Sequence, residues 1–306
     1  MTGAQNKLGV AAGARDGMVW VKAGSFLMGS EEFYPEERPS RRVSIAGFWI
    51  DRYPVTIEQF ARFVAETGYV TAAERAVDPA AYPGADRALL VPGSAVFTPT
   101  AGPVDLQSFV WWRYTPGACW RHPEGPGSGI VGLADHPVTH VAFEDATVYA
   151  AWAGKALPTE TEWEFAARGG LDGKRFAWGD EETVERQWVA NTWQGEFPWQ
   201  NLQLDGFART SPTGSFAPNG YGLFDMIGNV WEWTVDVYGS HRRPARRSCC
   251  AQKESSVGAG FPSRVIKGGS HLCAPNYCLR YRPAARQPLT EDTSTSHVGF
   301  RCVTRG

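Results

Sequence analysis

Gly268-Gly269-Ser270-His271-Leu272-Cys273-Ala274-Pro275-Asn276-Tyr277-Cys278-Leu279-Arg280-Tyr281-Arg282 sets two cysteines five positions apart. Residues at that spacing lie about 140° apart on an ideal helix and on opposite faces of a regular strand. The two thiols therefore converge only if the chain between them turns. Ala274-Pro275-Asn276 supplies the turn, because proline fixes its own φ and asparagine tolerates unusual conformations. Convergent thiolates suit a soft ion such as Cu(I) and leave room for a third ligand. A redox dithiol is a second reading, although its familiar spacing has only two intervening residues. A third is that Cys273 and Cys278 are simply small buried hydrophobes, since free cysteine is among the most buried residue types.

The chain around this stretch has 306 residues, 43% of them hydrophobic, and can bury a substantial core. With 34 Gly, 21 Pro and 13 Trp it reads as one compact body rich in turns, its function carried on loops. A formal charge of -2 and the lack of a long basic run give no footprint for nucleic acid. The one basic cluster, His241-Arg242-Arg243-Pro244-Ala245-Arg246-Arg247, reads as a solvated loop. Residues 1–17 are small and polar, a flexible N-terminus ahead of a single domain over 18–306. No stretch reaches the eighteen or so apolar residues of a membrane helix, so the expected location is the cytoplasm, with no membrane partner. The six cysteines (Cys119, Cys249, Cys250, Cys273, Cys278, Cys302) are too few for a disulfide scaffold and default to free thiols there.

Met18 to Gly29 reads as strand interrupted at Gly24, and Val43, Ile45, Phe48 and Ile50 as a strand pair bent at Gly47, together forming a small antiparallel sheet. Thr56-Ile57-Glu58-Gln59 is a capping box that opens an amphipathic helix, with Phe60, Phe63 and Val64 on one face and Gly68 as its stop. A second helix is predicted from about Glu144 to Ala153. A third follows, capped by Thr159 and Glu162, with Trp163 and Ala166 inward and Gly169-Gly170 at its end. Residues 78–117 read as surface loop. Beyond Phe176 the chain is aromatic, Gly-rich and without helical period, so the fold class is α+β.

The string at 268–282 does not stand alone. With Leu157-Pro158-Thr159-Glu160-Thr161-Glu162-Trp163-Glu164-Phe165-Ala166-Ala167-Arg168-Gly169-Gly170, Gly228-Asn229-Val230-Trp231-Glu232-Trp233-Thr234 and Gly299-Phe300-Arg301-Cys302, it resembles the formylglycine-generating enzyme family, over about residues 18–302. Sulfoxide synthases and non-catalytic proteins share several of these strings. The Cys273–Cys278 pair, Asn191-Thr192-Trp193-Gln194-Gly195-Glu196-Phe197-Pro198 and Trp120-Arg121-His122-Pro123-Glu124-Gly125-Pro126 point to the copper-dependent oxidase branch.

The resemblance implies a single-domain, C-type-lectin-like fold with little regular secondary structure. It implies an oxidase that matures sulfatases, converting the cysteine of a Cys-x-Pro-x-Arg motif in a sulfatase polypeptide to Cα-formylglycine. Cys273 and Cys278 would hold Cu(I), and the substrate thiolate would complete a three-sulfur site that activates O2. The product thioaldehyde would hydrolyse to the aldehyde, and an external thiol reductant would supply two electrons, because the chain has no flavin or nicotinamide motif. Ser270, Tyr277 and Trp231 match positions lining the copper and oxygen pocket; from the residues alone they are a turn hydroxyl and two core aromatics.

Two structural Ca2+ sites are also implied. One has the side chains of Asn191 and Asp205 with the carbonyls of Thr192 and Phe207. The other has the side chains of Asp225 and Glu232 with the carbonyls of Gly228 and Val230. Asn191 and Asp205 read equally as turn caps. For substrate binding the matching positions are Glu74, Ser94 and His297. Here the chain departs from the family pattern: a longer stretch separates Glu74 from Ser94, Gly93 stands where an aspartate is expected, and His297 replaces an asparagine. Cys302 lacks the cysteine partner of secreted relatives, since Ala151 occupies the matching helix position.

Two other classes compete. His136-Pro137-Val138-Thr139-His140 offers two imidazoles, but Pro137 argues against a helix carrying both, and Ala142 stands where an iron-binding acid would, which disfavours a non-haem iron sulfoxide synthase. A non-catalytic lectin-like binding module would have no use for two thiols at one turn. Cys249-Cys250 reads as two free loop thiols.

Overall fold

The first four strands fold back on one another around Gly47. In the computed structural model, which describes residues 15–182, 188–239 and 260–306, β1 (Met18–Val21) pairs antiparallel with β4 (Phe48–Asp51), and β2 (Gly24–Met28) with β3 (Arg41–Ile45). The expected single sheet is thus two. The break falls at Lys22-Ala23, just before Gly24, and opposite it Gly47 packs so closely that an added Cβ would meet Trp20 Cζ2 at 2.5 Å. Only glycine lets the two ribbons bend apart there. The β1–β4 sheet is closed by β11 (Val303–Arg305) from the far end of the chain. The basic cluster at 241–247, Cys249-Cys250 and most of the N-terminal segment at 1–17 lie outside the described residues.

Helices start and stop where the side chains dictate. The Thr56 hydroxyl accepts the Gln59 N–H while the Gln59 side chain accepts the Thr56 N–H, and α1 (Ile57–Thr67) runs from there to Gly68, which takes a left-handed conformation. Phe60, Phe63 and Val64 are buried as its pattern predicts. Helix α2 (Phe143–Trp152) is anchored by the Asp145 carboxylate on the Ala142 N–H at 2.8 Å. Helix α3 (Glu160–Arg168) is capped by Thr159 and Glu162 and ends at Gly169, also left-handed.

The stretch at 78–117 is not only loop. It contains an antiparallel hairpin, β5 (Gly93–Phe97) with β6 (Trp112–Pro116). Both faces of β5 are covered, so its residues show no alternation, and the long connection between the strands hides the pairing from the sequence. A second sheet has the order β10-β7-β8-β9, from β7 (Trp231–Val237), β8 (Ser263–Lys267), β9 (Arg286–Thr290) and β10 (Val298–Gly299). The pairing of β10 with β7 is parallel and the other two are antiparallel. The described elements are therefore three α-helices, short sheets and long loops, an α+β fold with little regular structure.

Helix α3 packs against β2, β3, β7 and β8 and carries three buried glutamates, each met by a cation. Glu160 is bound by Arg286, Glu162 by Arg305, and Glu164 by both Lys267 at 3.0 Å and Arg168 at 2.7 Å. Burial pushes the Glu164 carboxyl up, but Lys267, Arg168 and the Gly29 N–H outweigh it and carry it below the usual carboxylate value. Removing one partner of a buried pair leaves the other charge in a dry site, at about 3–5 kcal/mol. Glu164→Ala, which removes the carboxylate partner of Arg168 and leaves Lys267 only its longer contact to Glu160 at 3.7 Å, is expected to lower unfolding free energy by about that amount in urea titration. A loss below about 1 kcal/mol, the scale of an exposed pair, would contradict the role given to this contact.

Candidate active site

Immediately after Lys267 the chain enters the cysteine loop through two glycines. Gly268 and Gly269 both have positive φ (100° and 73°), and a Cβ on Gly269 would meet Tyr281 Cα at 2.9 Å. This close approach folds the start of the loop onto its end. The predicted turn follows: the Tyr277 and Cys278 N–H groups both donate to the Ala274 carbonyl, at 3.0 and 2.7 Å. It brings Cys273 Sγ within 3.4 Å of Cys278 Sγ, and both are free thiols.

The two thiols are not equivalent. Cys273 is 1% exposed and Cys278 7%, so Cys278 is the one at the edge. Burial, followed by the neighbouring Cys278, holds the Cys273 thiol well above its ordinary value. Cys278 is lowered, first because Cys273 donates a hydrogen bond to it, then because the Arg280 guanidinium stands 3.9 Å away. Of the two, Cys278 is therefore the thiol more easily deprotonated.

The surrounding segments come from the other quoted strings. The Trp193 N–H donates to the Cys273 carbonyl at 3.0 Å, and the His271 N–H to the Asn229 carbonyl at 3.0 Å. Glu232 joins three strings at once: its carboxylate accepts from Arg301 Nε and Nη2 and from Trp163 Nε1. An aromatic wall of Phe97, Trp111, Trp193 and Phe197 packs against Leu272 and Ala274. Tyr277 stacks on Phe197 at 4.3 Å and meets Trp111 edge-on at 5.3 Å.

Of the expected pocket residues, Ser270 is fully buried and its hydroxyl accepts the Leu272 N–H at 3.2 Å. Its backbone N–H points to Cys273 Sγ at 3.5 Å. Trp231 is buried in the same core cluster as the two cysteines. The expected substrate residues lie around β5: the turn that ends at Glu74 packs against it, Ser94 belongs to it, and residues 294–296, next to His297, bond along it. Glu74 accepts from the Thr71 N–H and hydroxyl and faces Arg121 at 3.7 Å. Ser94 is buried, bonded to His140 Nδ1 at 2.8 Å and to Ser294. His297 is half-buried, 4.7 Å from the Trp112 ring and bonded to Thr295. His136 and His140 point to different partners, Thr210 and Ser94. Cys302 is buried and free, its N–H on Asp51.

Among the residues expected around calcium, Asn191 Oδ1 is buried without a partner, while Asp205 accepts from the Thr192 and Phe207 N–H groups. Asp225 is pushed up to about 6, by burial first and with Glu232 adding to it. A cavity of about 510 Å³ is lined in part by Phe97, Trp193 and His271 from these segments, with Trp120, His136 and Arg209, and has no cysteine in its lining. Sequence reading missed Arg280, Trp111 and Phe197. For Arg280 the signal was present, since residues two apart on extended chain share a side.

The chain matches the model of the Sulfatase-modifying factor enzyme 1-like domain over residues 6–306. The formylglycine-generating enzyme of Mycobacterium tuberculosis is 55% identical over 290 residues, spanning 94% of this chain and 97% of that one. The enzyme of that name from Thermomonospora curvata is 46% identical, spanning 94% and 93%. The solved structure of PvdO from Pseudomonas aeruginosa is similar with a TM-score of 0.59 at 27% identity, over 94% of this chain and 93% of that one.

The difference between the two thiols predicts an order of reaction. In metal-free protein, iodoacetamide should label Cys278 ahead of Cys273, at a pH where an ordinary thiol is still protonated, as peptide mapping by mass spectrometry would read. Labelling of Cys273 first would contradict the assignment.

Proposed function

Because this chain belongs to the formylglycine-generating enzyme family, we propose that it oxidises a cysteine of a sulfatase polypeptide, in a Cys-x-Pro-x-Arg motif, to Cα-formylglycine. The observation that carries the reading is the pair of free thiols 3.4 Å apart on one turn. That donor set fits Cu(I): two adjacent soft sulfurs, one at the edge, with an aromatic wall excluding water beside them. When bound, the ion supplies activation of O2.

The chain's own residues do the rest. Cys273 and Cys278 hold the ion, and Cys278, the more exposed, faces the incoming substrate thiol. Ser270 fixes the entry to the loop, through its hydroxyl on the Leu272 N–H. Tyr277 is locked by Phe197 and Trp111, and its burial together with the nearby cysteines keeps its hydroxyl protonated and able to donate. Overall, one substrate thiol side chain and one O2, with two electrons and two protons from two external thiols, give one aldehyde, one hydrogen sulfide and one water. The free cysteines Cys119, Cys273, Cys278 and Cys302 support a reducing compartment, the cytoplasm. None of the described helices is long and apolar enough to cross a membrane.

Structural Ca2+ is part of the same proposal. Around Asn191 and Asp205 the residues fit, because a buried amide oxygen without a partner stands near a carboxylate that burial pushes up, and a hard cation would satisfy both. The second set fits in part. Asp225 and the carbonyls of Gly228 and Val230 remain, while the Glu232 oxygens are occupied by Arg301 and Trp163.

Incubation with a Cys-x-Pro-x-Arg peptide, Cu(I), O2 and dithiothreitol should convert the cysteine to the aldehyde, read as a mass change. Cys273→Ser and Cys278→Ser should each abolish this, whereas Ser at Cys119, Cys249, Cys250 or Cys302 should leave most of it. Peptide binding without oxygen uptake at any copper loading would instead favour a non-catalytic module. Removing Ca2+ with a chelator should lower the melting temperature, since an ion bound only to the native state stabilises it. No shift, with no calcium found by elemental analysis, would remove that part.

A further inference from the structure

Residues 33–37 lie against the chain that leaves the second cysteine and hold a guanidinium there. The Tyr34 hydroxyl accepts the Leu279 N–H at 3.1 Å, and the Arg280 guanidinium lies 3.7 Å from the centre of the Tyr34 ring. Arg280 Nη2 donates to Glu36 at 2.6 Å. Arg282 repeats the arrangement two residues on, paired with Glu37 and 3.6 Å over Phe33. Ring and carboxylate together fix the plane of the Arg280 fork and leave Nη1 facing Cys278 Sγ at 3.9 Å.

Two thiolates around one Cu(I) carry a net negative charge, and here that charge would sit where both sulfurs are nearly closed to water. A charge in such a place needs a partner. We propose that Arg280 is a positioning residue that supplies this counter-charge to the dithiolate, and that residues 33–37 are the clamp that aims it. The proposal rests on the reading of the cysteine pair as a Cu(I) site. Tyr34 and Glu36 reach it from almost 250 positions away in sequence, Arg280 Nη2 and Glu36 being separated by 244. The clamp therefore forms only in the folded chain. A lysine at 280 would keep the charge and lose the fork.

The test is Cu(I) affinity without oxygen, by competition against a chromogenic Cu(I) chelator, for wild type, Arg280→Lys and Arg280→Gln, with melting temperatures alongside. Arg280→Gln should weaken binding roughly tenfold to a hundredfold, the usual effect of removing a group that supports a metal ligand. Arg280→Lys should recover most of it. Affinity of Arg280→Gln within twofold of wild type overturns the proposal, and so does a lysine variant as weak as the glutamine one, because then charge is not what matters. Should Arg280→Gln fail to fold, Arg280→Lys decides alone: affinity near wild type supports the counter-charge, and a hundredfold loss overturns it. A wild-type protein that binds no Cu(I) defeats the metal reading itself, which the variants' ranking does not touch.

Discussion

The Glu164–Lys267 ion pair, 3.0 Å long and fully closed to water, sets where the cysteine loop begins. Lys267 is the last residue of β8 and Gly268 the first of the loop, so tying Lys267 to α3 ties the loop to the helix. A buried ion pair is poor evidence for stability by itself, because desolvation offsets much of its attraction. Its role here is geometric. Glu164 also accepts the Gly29 N–H, which brings β2 to the same point, and Lys267 Nζ stands 5.9 Å from the Trp163 ring. Trp163 in turn donates to Glu232, where Arg301 joins. Helix α3, the β7–β8 pair and the C-terminal segment at Arg301 are thus registered against one another by buried charges.

This frame explains the asymmetry of the two thiols. A rigid turn presses Cys273 inward against the core while Cys278 stays at the edge, beside a guanidinium held by a distant segment. Burial raises one thiol, and the hydrogen bond plus the cation lower the other. A loop free to relax would equalise them. The aromatic wall contributes differently, holding Leu272, Ala274 and Tyr277 by area and shape rather than by charge.

Local chemistry was readable in the sequence where one residue decides it. Thr56 with Gln59, Thr159 with Glu162, and Gly68 and Gly169 at helix ends each act over a few positions, and the helices follow. The turn at Ala274-Pro275-Asn276 was readable for the same reason. The β5–β6 hairpin was not, because a strand covered on both faces has no period and its partner lies beyond a long connection. Arg286, Arg305 and Lys267, which meet Glu160, Glu162 and Glu164, were also hidden, being 126, 143 and 103 positions away. Ser94 and Glu74 were placed by resemblance alone, and their surroundings, His140 with Ser294 and Thr71 with Arg121, depend on long-range packing that no local pattern encodes.

The central claim is that Cys273 and Cys278 are the complete protein ligand set of one Cu(I) and that the substrate cysteine adds the third sulfur. X-ray absorption at the copper edge tests it on the loaded protein with and without a Cys-x-Pro-x-Arg peptide, kept free of oxygen. The account predicts a sulfur-only shell that grows from two scatterers to three when the peptide is added. A shell containing nitrogen or oxygen from the protein, or one unchanged by the peptide, would contradict it.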